Sequence, residues 1–78
     1  MFYKILLDGI YNLKKSNNIQ ETIEYITANL EKNKFLVNYV SFLTTELEKI
    51  KRNTSKKKIL LSSVKLGQTR LIDNIEFN

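Results

Sequence analysis

The stretch KILLSSVKLGQTRLIDNI, residues 58–75, decides the fold of this 78-residue chain. Two runs rich in branched apolar residues flank Gly67-Gln68, and a two-residue link that begins with glycine is typical of a type II′ or I′ hairpin turn. The stretch therefore predicts two antiparallel strands, Lys58–Leu66 and Thr69–Phe77.

A third strand is predicted upstream of this hairpin. Phe35–Leu43 is rich in β-branched and aromatic residues, which are typical of strands. The segment between the strands, Thr44–Ser55, is polar and charged, and we interpret it as a long hairpin connection.

Two amphipathic helices are predicted before the strands. Apolar residues recur at steps of three and four over Phe2–Lys15, and they do so again after a polar break. Asn18, with Glu21 three residues later, is the predicted N-cap of the second helix. Asn33 is its predicted C-cap, because asparagine tolerates the left-handed backbone conformation. Gly9 on the first apolar stripe costs ~1 kcal/mol relative to alanine, so it indicates a close helix contact. The short loop predicts antiparallel packing of the two helices.

These elements predict an α+β fold, with two N-terminal helices packed on a three-stranded antiparallel β-sheet in one domain over residues 1–78. Neither face of the sheet is cleanly polar, because Ile59, Leu61 and Ile72 fall on the face opposite the other apolar strand residues. A sheet that is covered on one face alternates more strictly. We therefore expect a missing part of a larger protein, or a second copy in a symmetric dimer, to cover the second face.

The composition excludes several classes of function. The chain has no Cys and no His, which excludes disulfides, thiolate metal sites and histidine general bases. Its two glycines, Gly9 and Gly67, do not form a phosphate-binding loop. No apolar run reaches the ~20 residues of a membrane span, and the N-terminus does not read as a secretory signal, so we expect a cytoplasmic domain. No catalytic, cofactor-binding or metal-binding residue is predicted.

The basic residues are concentrated in one segment. The chain has 13 Lys and Arg against 8 Asp and Glu, a net charge of +5. One interpretation of the cluster is a small basic nucleic-acid-binding module. The other is a solvated loop whose lysines protect a sheet edge, and it is favoured because no aromatic residue interleaves with the cluster to stack bases. We therefore expect no sequence-specific nucleic-acid binding. The basic residues of the cluster are Lys49, Lys51, Arg52, Lys56, Lys57 and Lys58.

The string TRLIDN, residues 69–74, is the most distinctive one. Arg70 and Asp73 point to opposite faces of an extended strand, so they do not pair with each other. Asp73 falls between apolar residues, where a carboxylate needs hydrogen-bond donors. We interpret it as an anchor of the sheet to the helices or, alternatively, as an inter-domain or ligand-facing contact. The candidates for a structural or inter-domain role are Gly67, Arg70, Asp73 and Asn74.

At this string the sequence resembles the C-terminal domain of pantothenate synthetase, the pantoate–β-alanine ligase family. Lys58–Ile75 looks like the family's closing strand, glycine turn and Arg-Leu-Ile-Asp-Asn signature. Phe2–Leu6 resembles the Leu-Tyr start of the first helix of that domain. Asn38–Phe42 resembles its first strand, where the family usually carries Asp-Tyr-Val-Glu. Glu46-Leu47-Glu48 resembles the stretch that follows, with a residue deleted nearby. The resemblance covers essentially all 78 residues.

The resemblance implies an ATP-dependent ligase of pantothenate and coenzyme A biosynthesis, whose N-terminal Rossmann-like nucleotide-binding domain is missing here. The family converts pantoate and ATP, with Mg²⁺ assisting, to pantoyl adenylate and pyrophosphate, and β-alanine then gives pantothenate and AMP. The family's His-x-Gly-His site and Lys-Met-Ser-Ser-Arg-Asn loop have no counterpart here, so no catalytic residue carries over.

The role that the resemblance implies is a lid that excludes water from the intermediate, inactive alone and without a cofactor of its own. A protein-interaction domain that associates through its second sheet face is a further alternative.

Overall fold

A computed structural model of the chain describes residues 1–44 and 57–78, and it confirms the predicted α+β arrangement. The sheet has the strand order β1-β2-β3, with both neighbouring pairs antiparallel. The bounds of β2 and β3 are as predicted, and β1 begins and ends one residue later than predicted. Beyond Thr44, the predicted connection lies outside the described residues, as do Lys49, Lys51, Arg52 and Lys56 of the basic cluster. The elements are α1 (Phe2–Ser16), α2 (Ile19–Lys32), β1 (Leu36–Thr44), β2 (Lys58–Leu66) and β3 (Thr69–Phe77).

The two helices pack closely and antiparallel, since Gly9 meets Ile26 while Asn12 meets Thr22. A Cβ atom added at Gly9 would overlap Cγ1 and Cδ1 of Ile26, whose side chain is fully buried. The hydroxyl of the buried Thr22 donates a hydrogen bond to Oδ1 of Asn12 at 3.1 Å. Gly9 therefore marks a close helix contact, as the sequence predicted.

The caps of α2 are partly as predicted. Oδ1 of Asn18 accepts a hydrogen bond from the Glu21 backbone N–H at 2.9 Å, which confirms the N-cap. Asn33 is the C-cap, as predicted, but the left-handed conformation expected of it is wrong, because Asn33 has φ −96° and Lys34 takes φ 70° instead. The Phe35 N–H bonds to the Leu30 carbonyl and the Lys34 N–H to that of Glu31, which is the Schellman pattern. That pattern puts the left-handed residue one position after the cap.

The core lies between the helices and one face of the sheet. Leu60 and Val64 of β2 are fully buried, as are Ile26 and Leu30 of α2. The rings of Phe2 and Phe35 lie 5.7 Å apart, and those of Phe42 and Phe77 lie 5.9 Å apart. The helices and strands are thereby joined by one continuous apolar cluster. Within the described residues, neither helix is long and apolar enough to cross a bilayer.

The link between β2 and β3 is a two-residue hairpin turn. Leu66 pairs with Thr69, and Gly67 between them has φ 63°. Among the described non-glycine residues only Asn17 and Lys34 have positive φ, so Gln68 does not. A positive φ at the first central residue alone is the signature of type II′. The structure thus selects one of the two turn types that the sequence left open.

Gly67 and Lys34 both have positive φ, so removing glycine at one and introducing it at the other are expected to change the melting temperature in opposite directions. Gly67→Val introduces a β-branched residue at φ 63°, which costs about 1–2 kcal/mol and lowers the melting temperature by several degrees. An added Cβ at Gly67 meets nothing within 4 Å, so the cost is conformational rather than steric. Lys34→Gly removes such strain and raises the melting temperature by a few degrees. Thermal unfolding measures both changes in melting temperature. Gln68→Val is the control for Gly67→Val, and Lys34→Ala is the control for Lys34→Gly. An equal loss of stability from valine at positions 67 and 68 would contradict the turn assignment.

Candidate inter-domain surface

The four candidate residues lie on the β2–β3 hairpin, but they point in different directions. Gly67 is exposed in the turn, and Arg70 and Asn74 are exposed on the face of the sheet that points away from the helices. Asp73 lies on the other face, opposite Ser62, and is partly buried. The structure therefore brings Arg70 and Asn74 onto one face and separates them from Asp73. An inter-domain role for the four residues stays a prediction.

The carboxylate of Asp73 is bonded within its own strand. Its Oδ1 accepts a hydrogen bond from the Asn74 backbone N–H at 2.8 Å. Hydrogen-bonded pairs alternate away from the turn, so the N–H of Asn74, opposite Leu61, points to the free edge of the sheet. Asp73 thereby occupies a donor that an edge strand otherwise leaves unpaired. Across residues 1–44 and 57–78, no hydrogen bond or ion pair joins Asp73 to either helix.

The face of the sheet that points away from the helices, called here the open face, carries exposed apolar side chains among its polar ones. Leu36 and Ile72 keep 65% of their surface exposed, and Tyr39 keeps 45%. The register places them with three half-buried residues on the same side of the sheet, so all three strands contribute apolar side chains to this face. This confirms the predicted mixed character of both faces. The apolar side chains of the open face are Leu36, Tyr39, Leu43, Ile59, Leu61 and Ile72.

The charges of the open face are distributed unevenly. At the end near the turn, Lys65 and Arg70 lie directly opposite each other, and both are exposed. At the far end, Nζ of Lys57 lies 3.5 Å from Oε2 of Glu76 in an exposed ion pair. Of the described carboxylates, none lies within ion-pair distance of Lys65 or Arg70. Among the described residues, the turn end therefore carries two positive charges without a carboxylate partner.

No metal site is found in the part of the chain that the structure describes. Residues 1–44 and 57–78 contain no group of three or more carboxylates placed to hold a metal ion. We therefore assign no Mg²⁺ ligand among these residues.

A comparison with known protein families shows which family the chain belongs to. A family model for pantoate–β-alanine ligase matches residues 3–76. The chain belongs to the pantoate–β-alanine ligase family. The match contains both helices apart from Phe2, and all three strands apart from Phe77, so the predicted resemblance is confirmed. No curated protein matches the chain.

The pairing of Lys65 with Arg70 in this ligase-family chain was not among the predictions from the sequence. The sequence does contain this pairing, because a two-residue turn at 67–68 fixes which residues of the hairpin face each other. Leu66 pairs with Thr69 next to the turn, and Lys65 pairs with Arg70 one position further along each strand. A second missed feature is the irregular register between Val37 and Tyr39 on β1. Such irregularities depend on the partner strand, so the local sequence pattern does not predict them.

Proposed function

We propose that this chain acts as the C-terminal domain of a pantoate–β-alanine ligase and closes over an active site that a nucleotide-binding domain supplies. Family membership over residues 3–76 is the observation that carries the proposal. The open face supports it, since exposed apolar side chains on a sheet face favour a partner surface. The absence of His and Cys from the sequence also supports a role without catalytic residues of its own.

The proposed reaction needs exclusion of water more than it needs groups from this domain. A carboxylate oxygen of pantoate attacks the α-phosphorus of ATP, and pyrophosphate leaves. The amine of β-alanine then attacks the acyl carbon of pantoyl adenylate, the acyl C–O bond breaks, AMP leaves, and the nitrogen loses a proton as the amide forms. The adenylate is a mixed anhydride that water hydrolyses, so a closed lid protects it. We assign ATP and Mg²⁺ to the nucleotide-binding domain, and the reaction to cytoplasmic pantothenate biosynthesis.

The proposal is tested by adding the chain to a separately purified nucleotide-binding domain of a pantoate–β-alanine ligase. Alone, the chain is expected to form no pantoate-dependent AMP, and ATP is expected not to raise its melting temperature. Together, the two pieces are expected to form pantothenate with less loss of adenylate to hydrolysis, measured as the ratio of pantothenate to AMP. Pantoate-dependent AMP formation by the chain alone would refute the lid role, and so would an unchanged ratio.

The isolated chain is proposed to use the same face for a weak symmetric dimer. Its net charge of +5 opposes self-association, so added salt is expected to strengthen the dimer by screening. Light scattering at high micromolar concentration measures this, and a monomeric mass in both low and high salt would contradict it.

A second candidate function, nucleic-acid binding, is favoured by the net charge and by the basic cluster. Most of that cluster lies outside the described residues, and family membership favours the ligase role. We expect binding that is weak, independent of sequence and lost at moderate salt, because cations without stacking groups release counterions but do not read bases. Fluorescence anisotropy with labelled oligonucleotides tests this. Sub-micromolar, sequence-dependent binding at physiological salt would support the second candidate instead.

A further inference from the structure

We propose that Lys65 and Arg70 form an oxyanion-binding site at the turn end of the open face, with phosphoryl groups as the class of ligand. The inference goes beyond the lid role, because it concerns direct binding of an anion by this chain. It can succeed or fail whether or not the chain supports adenylation.

The geometry of the hairpin holds the two cations together. Leu66 and Thr69 close the turn as a hydrogen-bonded pair, so Lys65 and Arg70 form the next, non-hydrogen-bonded pair. Cα atoms in such a pair lie about 4.5 Å apart, and both side chains leave the sheet on the same face. The pair is therefore held by the backbone register and not by flexible loops.

Two like charges in this position are unfavourable unless something compensates them. Lys57, at the other end of the same face, has Glu76 within 3.5 Å, whereas no described carboxylate compensates Lys65 or Arg70. An external anion is the partner that would remove the repulsion.

The two side chains suit a phosphoryl group better than a carboxylate. The guanidinium of Arg70 presents a planar fork of donors that matches two oxygens of a phosphate, and the ammonium of Lys65 adds a compact point charge. Together they match a ligand with two or more negative charges. Leu36 lies across from Lys65, and Ile72 follows Arg70 on the same face, so apolar side chains border the pair. Such neighbours lower the local dielectric constant and strengthen the attraction.

The probe is inorganic pyrophosphate, added to the ¹⁵N-labelled chain at constant ionic strength. We expect saturable shifts of the backbone amide signals of residues 64–72. Lys65→Gln and Arg70→Gln are each expected to weaken binding about fivefold, the upper range for an exposed charge pair. Lys14→Gln, which removes an exposed lysine at the end of α1, is the matched control and is expected to leave the affinity unchanged.

A second measurement separates a binding site from mere charge. Without pyrophosphate, Lys65→Gln and Arg70→Gln are expected to raise the melting temperature by a degree or more, because each removes the like-charge pair. With pyrophosphate, the wild-type melting temperature is expected to rise and those of the two variants to stay nearly constant. Shifts centred on residues 49–58, an equal response of all three variants, or equal binding of citrate at the same charge would each overturn the proposal.

Discussion

Gly9→Ala is expected to lower the melting temperature by about 5–10 °C, although alanine is the better helix former. The new Cβ would overlap Cγ1 and Cδ1 of Ile26, which is fully buried, so relieving the overlap must displace atoms of the core. Overpacking of this kind costs about 1–3 kcal/mol, and the gain in helix propensity offsets at most about 1 kcal/mol of it. The clash therefore decides the sign, and thermal unfolding measures it.

The same substitution is expected to change sign when Ile26 is shortened. In an Ile26→Ala background the overlapping atoms are gone, and the added methyl group fills part of the cavity. Gly9→Ala should then stabilise the chain by about 1 kcal/mol, so the double-mutant cycle gives a coupling free energy of about 2–3 kcal/mol. Ala28→Gly on the exposed side of α2 measures the helix propensity in this fold. A destabilising Gly9→Ala in both backgrounds would show that the contact with Ile26 is not the cause.

The strands and helix starts were predictable because their determinants are local. Gly67 indicates a two-residue turn, and that turn fixes where β2 ends and where β3 begins without any tertiary information. Asn18 likewise indicates the start of α2, because its side chain accepts a hydrogen bond from the Glu21 backbone N–H. The end of α2 was placed correctly at Asn33, but the left-handed conformation was assigned to the wrong residue, because Lys34 takes it although lysine has no local preference for it. Packing of Phe35 into the core holds that conformation, and local propensity does not report it.

The candidate surface was predictable in its apolar character but not in its charges. Alternation along β2 and β3 already placed Ile59, Leu61 and Ile72 on the face away from the helices. Arg70 was named as a candidate without its cross-strand neighbour Lys65, because that pairing follows only when the register is applied to both strands together. Asp73 was expected to need donors, and the donor it found is the next residue on its own edge strand. Contacts across strands and hydrogen bonds at a sheet edge depend on how the strands pair, so they cannot be predicted from each strand considered separately.

Ile72→Glu is expected to raise at least about 30-fold the concentration of chain that half-saturates the nucleotide-binding domain. The loss corresponds to about 2 kcal/mol, the value for an apolar anchor at an interface centre. Ile72 keeps 65% of its surface exposed in the isolated chain, so glutamate there should cost the fold at most about 1 kcal/mol. A titration of the nucleotide-binding domain, with the pantothenate-to-AMP ratio as readout, measures the effect.

Tyr11→Glu is the matched control, because Tyr11 is 62% exposed on the outer side of α1. Its ring contacts the Lys15 ammonium, whose Nζ lies 4.9 Å from the ring centroid, and a glutamate there keeps a partner for that cation four residues away. The two variants thus add the same charge at equally exposed apolar positions on opposite sides of the domain. If the open face is the docking side, only Ile72→Glu weakens the response. A larger effect of Tyr11→Glu would instead place the docking side on the helices, and equal effects would indicate that net charge alone controls association.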